Sequence, residues 1–175
     1  KKNNIQFSIF NDQVIYEPGF LRTGQGKPFS VFTPFKRRWV ENFDMNCLDL
    51  AKPVKQNKPS SIPSNLSHLK FVKSHLANID LWPAGESAAK QKLKNFLQSK
   101  ARLYSESRNS PIIDGTSRIS PYLALGILSP KRCILEGLKL NNFEFTSGNK
   151  GICKWIDEIV WREFYRNIMH SFPKV

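Results

Sequence analysis

The longest helical pattern in the chain covers residues 150–169, and it limits the fold more than any other feature. Apolar side chains recur in it at spacings of three and four, which places them on one face of a helix. These side chains are Ile156, Ile159, Val160 and Phe164. A helix with such a face buries it against other elements, so this segment is predicted to pack on a core.

Further helices are predicted from about residue 85 onward. One apolar stripe at helical spacing consists of Ala89, Leu93, Phe96 and Leu97. Ser120-Pro121 and Ser129-Pro130 each have the form of an N-cap followed by proline at the first helical position. No convincing strand pattern follows residue 70, so the C-terminal part is predicted to be all-α.

The N-terminal third is less regular. Residues 5–17 include a short alternating apolar pattern, which indicates one or two strands or extended segments. Thr33-Pro34 predicts a helix start, and the stripe of Phe35, Trp39 and Phe43 is interpreted as core. Residues 52–67 contain three prolines, four serines and three lysines, a composition typical of an exposed linker.

The charge balance favours a polyanionic partner. The chain has 27 basic and 14 acidic residues, a formal net charge of +13. Nucleic acid is the first candidate and an anionic membrane surface the second, although drift toward a lysine- and asparagine-rich composition gives the same balance. The three cysteines form no CxxC pair, which predicts reduced thiols and no metal site. The absence of an initiator Met leads us to interpret the chain as part of a longer polypeptide.

One group of polar residues has the chemistry of an anion site. In residues 114–121, Gly115 permits a tight backbone, while Thr116, Ser117 and Arg118 offer hydroxyl and guanidinium donors ahead of a helix start. A phosphate cradle and a merely capped helix start both fit this pattern. The segment is not a Walker A loop, because GxxxxGK[ST] is absent.

A second group lies on the long predicted helix. Glu158, Trp161, Arg162 and Tyr165 fall on one stripe, with Trp155 one turn earlier on the same side. Such a face could stack flat rings and hydrogen-bond their edges, as a nucleobase site would. A buried helix with a routine Glu158–Arg162 salt bridge fits equally well, so both interpretations stay open.

These segments resemble the DNA photolyase/cryptochrome family. The matching segments are Phe32–Lys36, Trp82–Glu86, Gly115–Ser120, Leu123–Pro130 and Trp161–Tyr165, in the family's order along nearly the whole chain. The chain looks most like the bacterial members that act on cyclobutane pyrimidine dimers. The resemblance implies a mainly α fold that forms the first part of a helical FAD-binding domain. Residues 1–17 would end an α/β antenna domain, 18–67 would be an inter-domain connection with a short helix, and 68–175 would be the truncated FAD-binding domain.

The resemblance also implies an activity. The family repairs cyclobutane pyrimidine dimers in DNA by light-driven electron transfer from reduced, anionic FAD, after the dimer is flipped out of the duplex. We therefore expect a carbon–carbon lyase that is a cytoplasmic monomer, binds dimer-containing DNA and does not bind membranes. A second, antenna chromophore is implied, but Ser8 stands where folate-binding relatives carry an acidic residue, which speaks against folate. The chain alone is expected to bind FAD poorly and to repair nothing.

The resemblance assigns roles residue by residue. The positions that match flavin contacts are Tyr104, Thr116, Ser117, Arg118, Ile119, Ser120 and Trp155. The positions that match DNA contacts are Arg108, Glu158, Trp161, Arg162 and Tyr165. Two of the latter are implied to act on the dimer itself: Glu158 hydrogen-bonds its base edge and Trp161 packs against it.

Three other functions are considered beside dimer repair. A cryptochrome, which is a flavin blue-light photoreceptor without repair activity, is the main alternative, and a photolyase for the (6-4) lesion is another. Trp161 favours repair, because the family's signalling members often lack a tryptophan there. The third alternative is a non-catalytic basic DNA-binding module, in which residues 115–120 would have no purpose.

Overall fold

A computed structural model describes residue 7, residues 11–48 and residues 81–174. These residues form six α-helices and no strand, so the mainly α prediction is confirmed for this part of the chain. The helices are α1 (Phe32–Glu41), α2 (Glu86–Ser99), α3 (Tyr104–Ser107), α4 (Ser120–Ala124), α5 (Pro130–Leu140) and α6 (Lys150–Ser171). Two 3₁₀ turns cover Met45–Leu48 and Ala101–Leu103. The predicted linker at 52–67 and Ser8 lie outside the described residues.

Helix α6 is the element on which α1, α3 and α5 pack. The prediction of a helix over residues 150–169 is confirmed, and its four predicted core residues are all buried. The helix begins at an asparagine cap, since Asn149 Oδ1 accepts a hydrogen bond from the Ile152 amide at 3.0 Å. At the same end, Gly151 lies so close to the carbonyl oxygens of Ala101 and Arg102 that a Cβ would collide with them.

The predicted helix starts have different outcomes. Ser129 is the cap of α5 as predicted, because its hydroxyl accepts from the Lys131 amide at 3.2 Å. Thr33 and Ser120 are not caps, because α1 begins at Phe32 and α4 begins at Ser120 itself, and neither start has a side-chain cap. Proline is tolerated anywhere in the first turn, where amides have no intrahelical acceptor, so a Ser-Pro or Thr-Pro pair does not determine the first residue.

The segment at 11–17 is not a strand, although its apolar pattern predicted a strand or an extended segment. Its amides at Ile15 and Tyr16 donate to the carboxylate of Glu163 on α6 at 2.8 and 3.0 Å. Val14 and Tyr16 are buried. This segment therefore packs its apolar side chains against a helix, and two of its backbone donors are satisfied by a side chain rather than by a neighbouring strand. The alternating residues Ile5 and Ile9 lie outside the described residues.

Two further predictions concern the core. Phe35 and Trp39 of α1 are fully buried, and Phe43 stacks on Trp39 just after the helix ends, with ring centroids 5.3 Å apart. The stripe predicted on α2 is also confirmed, because Ala89, Leu93 and Phe96 are buried and Leu97 packs against them. None of the helices within the described ranges has the length and apolar character needed to cross a bilayer.

Candidate functional site

An open groove of about 530 Å³ runs along α6 and is closed on its other side by the segment that leads into α4. Nine of the twelve residues singled out in the sequence line it: Tyr104, Ser117, Ile119, Ser120, Trp155, Glu158, Trp161, Arg162 and Tyr165. A cavity of about 570 Å³ between the starts of α2 and α5 contains none of the twelve. The candidate site is therefore the groove on α6.

The floor of the groove is aromatic. Trp155 is only 1% exposed and packs against Phe96 with centroids 5.3 Å apart, while Tyr104 meets the same ring edge-on at 5.8 Å. Trp155 therefore belongs to the core at the base of the groove and not to an exposed face. Burial, reinforced by the nearby Glu158 carboxylate, raises the pKa of the Tyr104 phenol, so this side chain stays neutral.

An ion pair lies on the groove wall. The Arg108 guanidinium is paired with the Glu158 carboxylate, and Lys154 approaches the same carboxylate at 3.9 Å. The hydrogen bond that Arg108 donates to Glu158 raises the pKa of Arg108. The Arg108 guanidinium also lies 5.5 Å from the centroid of the Tyr104 ring, within the range of a cation–π contact. Two residues expected to contact DNA are thus held next to each other.

The alternative of a Glu158–Arg162 salt bridge is wrong, because Arg162 has other partners. It donates to the backbone oxygen and the side-chain oxygen of Gln13 at 2.5 and 2.9 Å, and to the Leu123 carbonyl at 3.1 Å. Burial lowers the pKa of Arg162, and neighbouring Arg166 adds to this effect. Arg162 therefore joins α6 to the N-terminal segment and to α4.

The indole of Trp161 is the central ring of an aromatic group. It stacks on Phe32 of α1 with centroids 3.8 Å apart and planes 9° apart. Tyr165, one turn further along α6, lies 5.5 Å from it at 29° and is 57% exposed. This part of the groove can therefore offer ring surface to a planar ligand.

The polar residues at 116–118 line a second, smaller cavity of about 200 Å³, and Ser117 lines both spaces. Lys92 of α2 and Lys100, just after that helix, border it together with Thr116 and Arg118. Asp114 pairs with Lys100 at 2.5 Å and with Arg118 at 3.1 Å, and its bond to Lys100 lowers its pKa. Three cations against one carboxylate make this cavity suitable for an anion.

Comparisons with known proteins agree on a family. The family model for DNA photolyase matches residues 1–59. The deoxyribodipyrimidine photo-lyase of Vibrio cholerae is 32% identical over 99% of this chain, and that of Escherichia coli is 34% identical over 98%. A crystal structure of a bacterial class III photolyase from Agrobacterium tumefaciens superposes with a TM-score of 0.70 at 32% identity, over 94% of this chain and 35% of that one.

This chain belongs to the DNA photolyase family. It covers 37% of the V. cholerae protein and 36% of the E. coli protein, or about a third of the length of these curated relatives. As a photolyase segment it combines an aromatic groove, a carboxylate on the groove wall and a basic cavity. No group of side chains that could hold a metal ion occurs within the described residues.

Several residues that build this candidate site were missed in the sequence. Phe32 belongs to a matching motif, but nothing in its spacing indicates that it lies against Trp161. Gln13 and Glu163 connect the N-terminal segment to α6 across about 150 positions. One local feature of the sequence did point to such a contact. Glu163 lies next to Phe164 on the apolar side of the predicted helix at residues 150–169, where an unpaired charge would be costly, so a hydrogen-bonding partner was required.

Proposed function

We propose that the complete polypeptide repairs cyclobutane pyrimidine dimers in DNA in a light- and FAD-dependent reaction. This chain would contribute a wall of the flavin site and the helix that faces the lesion. The observation that carries the proposal is the single groove on α6, in which an aromatic floor, Glu158 and Trp161 lie next to the basic cavity around Ser117. The formal charge of +13 supports a nucleic-acid substrate.

The residues present fit a flavin dinucleotide. Trp155 and Tyr104 form the apolar base on which the groove is built, and both rings are largely covered by their neighbours. The hydroxyls of Thr116 and Ser117, with the cations around the smaller cavity, are suited to a diphosphate. Ile119 and Ser120 continue this wall into α4. When bound, reduced anionic FAD would supply the light absorption and the electron that splits the cyclobutane ring.

The substrate side of the groove is formed by α6. A dimer flipped out of the duplex presents ring faces and N–H edges, which require an aromatic surface and an acceptor. Trp161 offers the surface, and the Glu158 carboxylate offers the acceptor. Arg108 holds that carboxylate at the groove wall, while Arg162 fixes the neighbouring segments to α6. Tyr165, at the exposed end, would extend the contact toward DNA.

The test is dimer repair by the protein expressed from its complete gene. The flavin is chemically reduced, the substrate is a thymine-dimer oligonucleotide, and matched samples are kept in light and in darkness. We expect intact thymines to return only in light. Glu158→Gln should slow repair by about 10-fold or more, because a hydrogen bond to a charged acceptor is replaced by one to a neutral acceptor.

Glu136→Gln on α5 is the matched control. The Glu136 side chain is 32% exposed and ion-paired, as the Glu158 side chain is at 31%, but it lies outside the groove. It should leave repair unchanged. Bound flavin without repair in the unmodified protein would contradict the proposal and favour a cryptochrome-type photoreceptor or a different lesion. Equal effects of the two substitutions would contradict the role of Glu158.

A further inference from the structure

We propose that Phe32 is a positioning residue for Trp161 and thereby sets the preference for damaged DNA. The inference rests on the proposed function, because it concerns how the lesion-facing ring is held. The two rings are stacked almost in parallel, with centroids 3.8 Å apart and planes 9° apart. Phe32 does not line the groove, so its effect on a ligand must pass through Trp161.

The position of Phe32 is held by the packing of α1 on α6. One turn from the ring stack on both helices, Lys36 pairs with Asp157 at 2.6 Å, and both side chains are largely buried. The ring of Phe164 meets Phe32 at 73° and Trp161 at 80°, with centroids 5.9 and 5.6 Å away. The ion pair and the edge-on ring together keep Phe32 opposite the indole.

This arrangement has a consequence for binding. A parallel ring at 3.8 Å covers one face of the Trp161 indole, so a base can pack only on surface that the stack leaves free. The stack also restricts the rotamers of Trp161 before any ligand arrives. The Trp161 side chain then loses its conformational entropy during folding rather than during binding, which favours the bound state.

The experiment compares binding of dimer-containing and undamaged oligonucleotides by the protein expressed from its complete gene. Phe32→Leu removes the ring and should reduce the preference for the dimer about 3- to 10-fold, the range expected for one aromatic pair. Phe32→Tyr keeps the ring and should preserve the preference. Binding to undamaged DNA should stay the same in both variants, because it depends on cationic side chains.

Phe43→Leu is the control for general damage to packing. Phe43 is also a half-buried phenylalanine stacked on a tryptophan, Trp39, but it lies away from the groove. A loss of preference in Phe43→Leu equal to that in Phe32→Leu would overturn the inference. So would an unchanged preference in Phe32→Leu when the unmodified protein does prefer the dimer.

A double-mutant cycle separates an indirect effect from a direct one. If Phe32 acts through Trp161, then Phe32→Leu should add no further loss of preference in a Trp161→Ala background. Additive losses would mean that Phe32 touches DNA or acts elsewhere, and would overturn the inference. If the unmodified protein shows no preference for the dimer, the proposed function itself fails, which is a distinct result.

Discussion

The carboxylate of Glu163 is expected to make the attachment of the N-terminal segment dependent on pH. Its side chain is 3% exposed and accepts three hydrogen bonds, from the amides of Ile15 and Tyr16 and from the Trp39 indole N–H at 3.0 Å. Burial raises the pKa of Glu163, while the three donors and nearby Arg162 lower it. Burial is the larger effect, so its pKa is raised to about 7.

The sign of the pH effect follows from this raised pKa. When the segment is released, Glu163 is hydrated and its pKa returns toward 4.5. The attached state therefore binds more protons than the released state between about pH 4.5 and 7. Its stability is complete below about pH 4.5 and falls as the pH rises to 7. A difference of about 2.5 pKa units corresponds to roughly 3.4 kcal/mol, or about 300-fold in the opening equilibrium.

Hydrogen exchange of the segment at residues 11–20 measures this opening. We expect the protection of the Ile15 and Tyr16 amides, corrected for intrinsic exchange, to fall between pH 5 and 7.5 in the protein expressed from its complete gene. Glu163→Gln cannot ionise, so its protection should stay constant over that range. At pH 5 Glu163→Gln should be the less protected of the two, because its amide nitrogen cannot accept the hydrogen bond that one carboxyl oxygen accepts.

Two further variants complete this experiment. Glu163→Ala removes every acceptor for the three donors and should increase exchange at each pH by about 10-fold or more. Glu136→Gln, on the surface of α5, should leave the segment unaffected. Protection of the Ile15 and Tyr16 amides that rises between pH 5 and 7.5 in the unmodified protein would refute the reasoning. It would mean that the three donors outweigh burial and that the pKa of Glu163 is lowered.

Two other predictions concern binding and stability. Trp161→Ala should weaken discrimination between dimer-containing and undamaged DNA by roughly 1–3 kcal/mol, measured by titration at two salt concentrations, and an equal loss on both DNAs would contradict its role. Gly151→Ala should destabilise the fold by about 2 kcal/mol and lower the Tm, because its Cβ would meet the carbonyls of Ala101 and Arg102. In Gly24→Ala the new Cβ would have no atom within 4 Å, so the free energy of unfolding should change by less than about 0.5 kcal/mol. Equal changes in Tm for the two variants would refute the packing argument.

Helix periodicity was sufficient to predict much of this fold. It identified α6 and α2 with their buried faces, because a side chain's position around a helix follows from its spacing alone. The predicted threonine and serine caps were less consistent signals. Ser129 caps α5, whereas Ser120 lies inside α4, because the cap depends on the path by which the chain enters the helix.

The N-terminal segment shows where local pattern is insufficient. Residues 14–16 form an apolar run that predicted a strand or an extended segment, yet the acceptor of the Ile15 and Tyr16 amides is a side chain nearly 150 positions away. No spacing rule connects Ile15 with Glu163, because the contact exists only once α6 has packed against this segment. The same holds for Phe32 and Trp161, whose rings meet because the Lys36–Asp157 pair and the buried aromatic residues align two helices.

The order of residues along α6 already places Glu158, Trp161, Arg162 and Tyr165 on one stripe, since 3.6 residues make a turn. The partner of each side chain is a property of the folded chain. Spacing permits a Glu158–Arg162 ion pair. In the packed structure, however, Glu158 pairs with Arg108, and Arg162 donates hydrogen bonds to oxygens of Gln13 and Leu123. A partly buried guanidinium requires acceptors where water is excluded, and folding brings those oxygens within its reach.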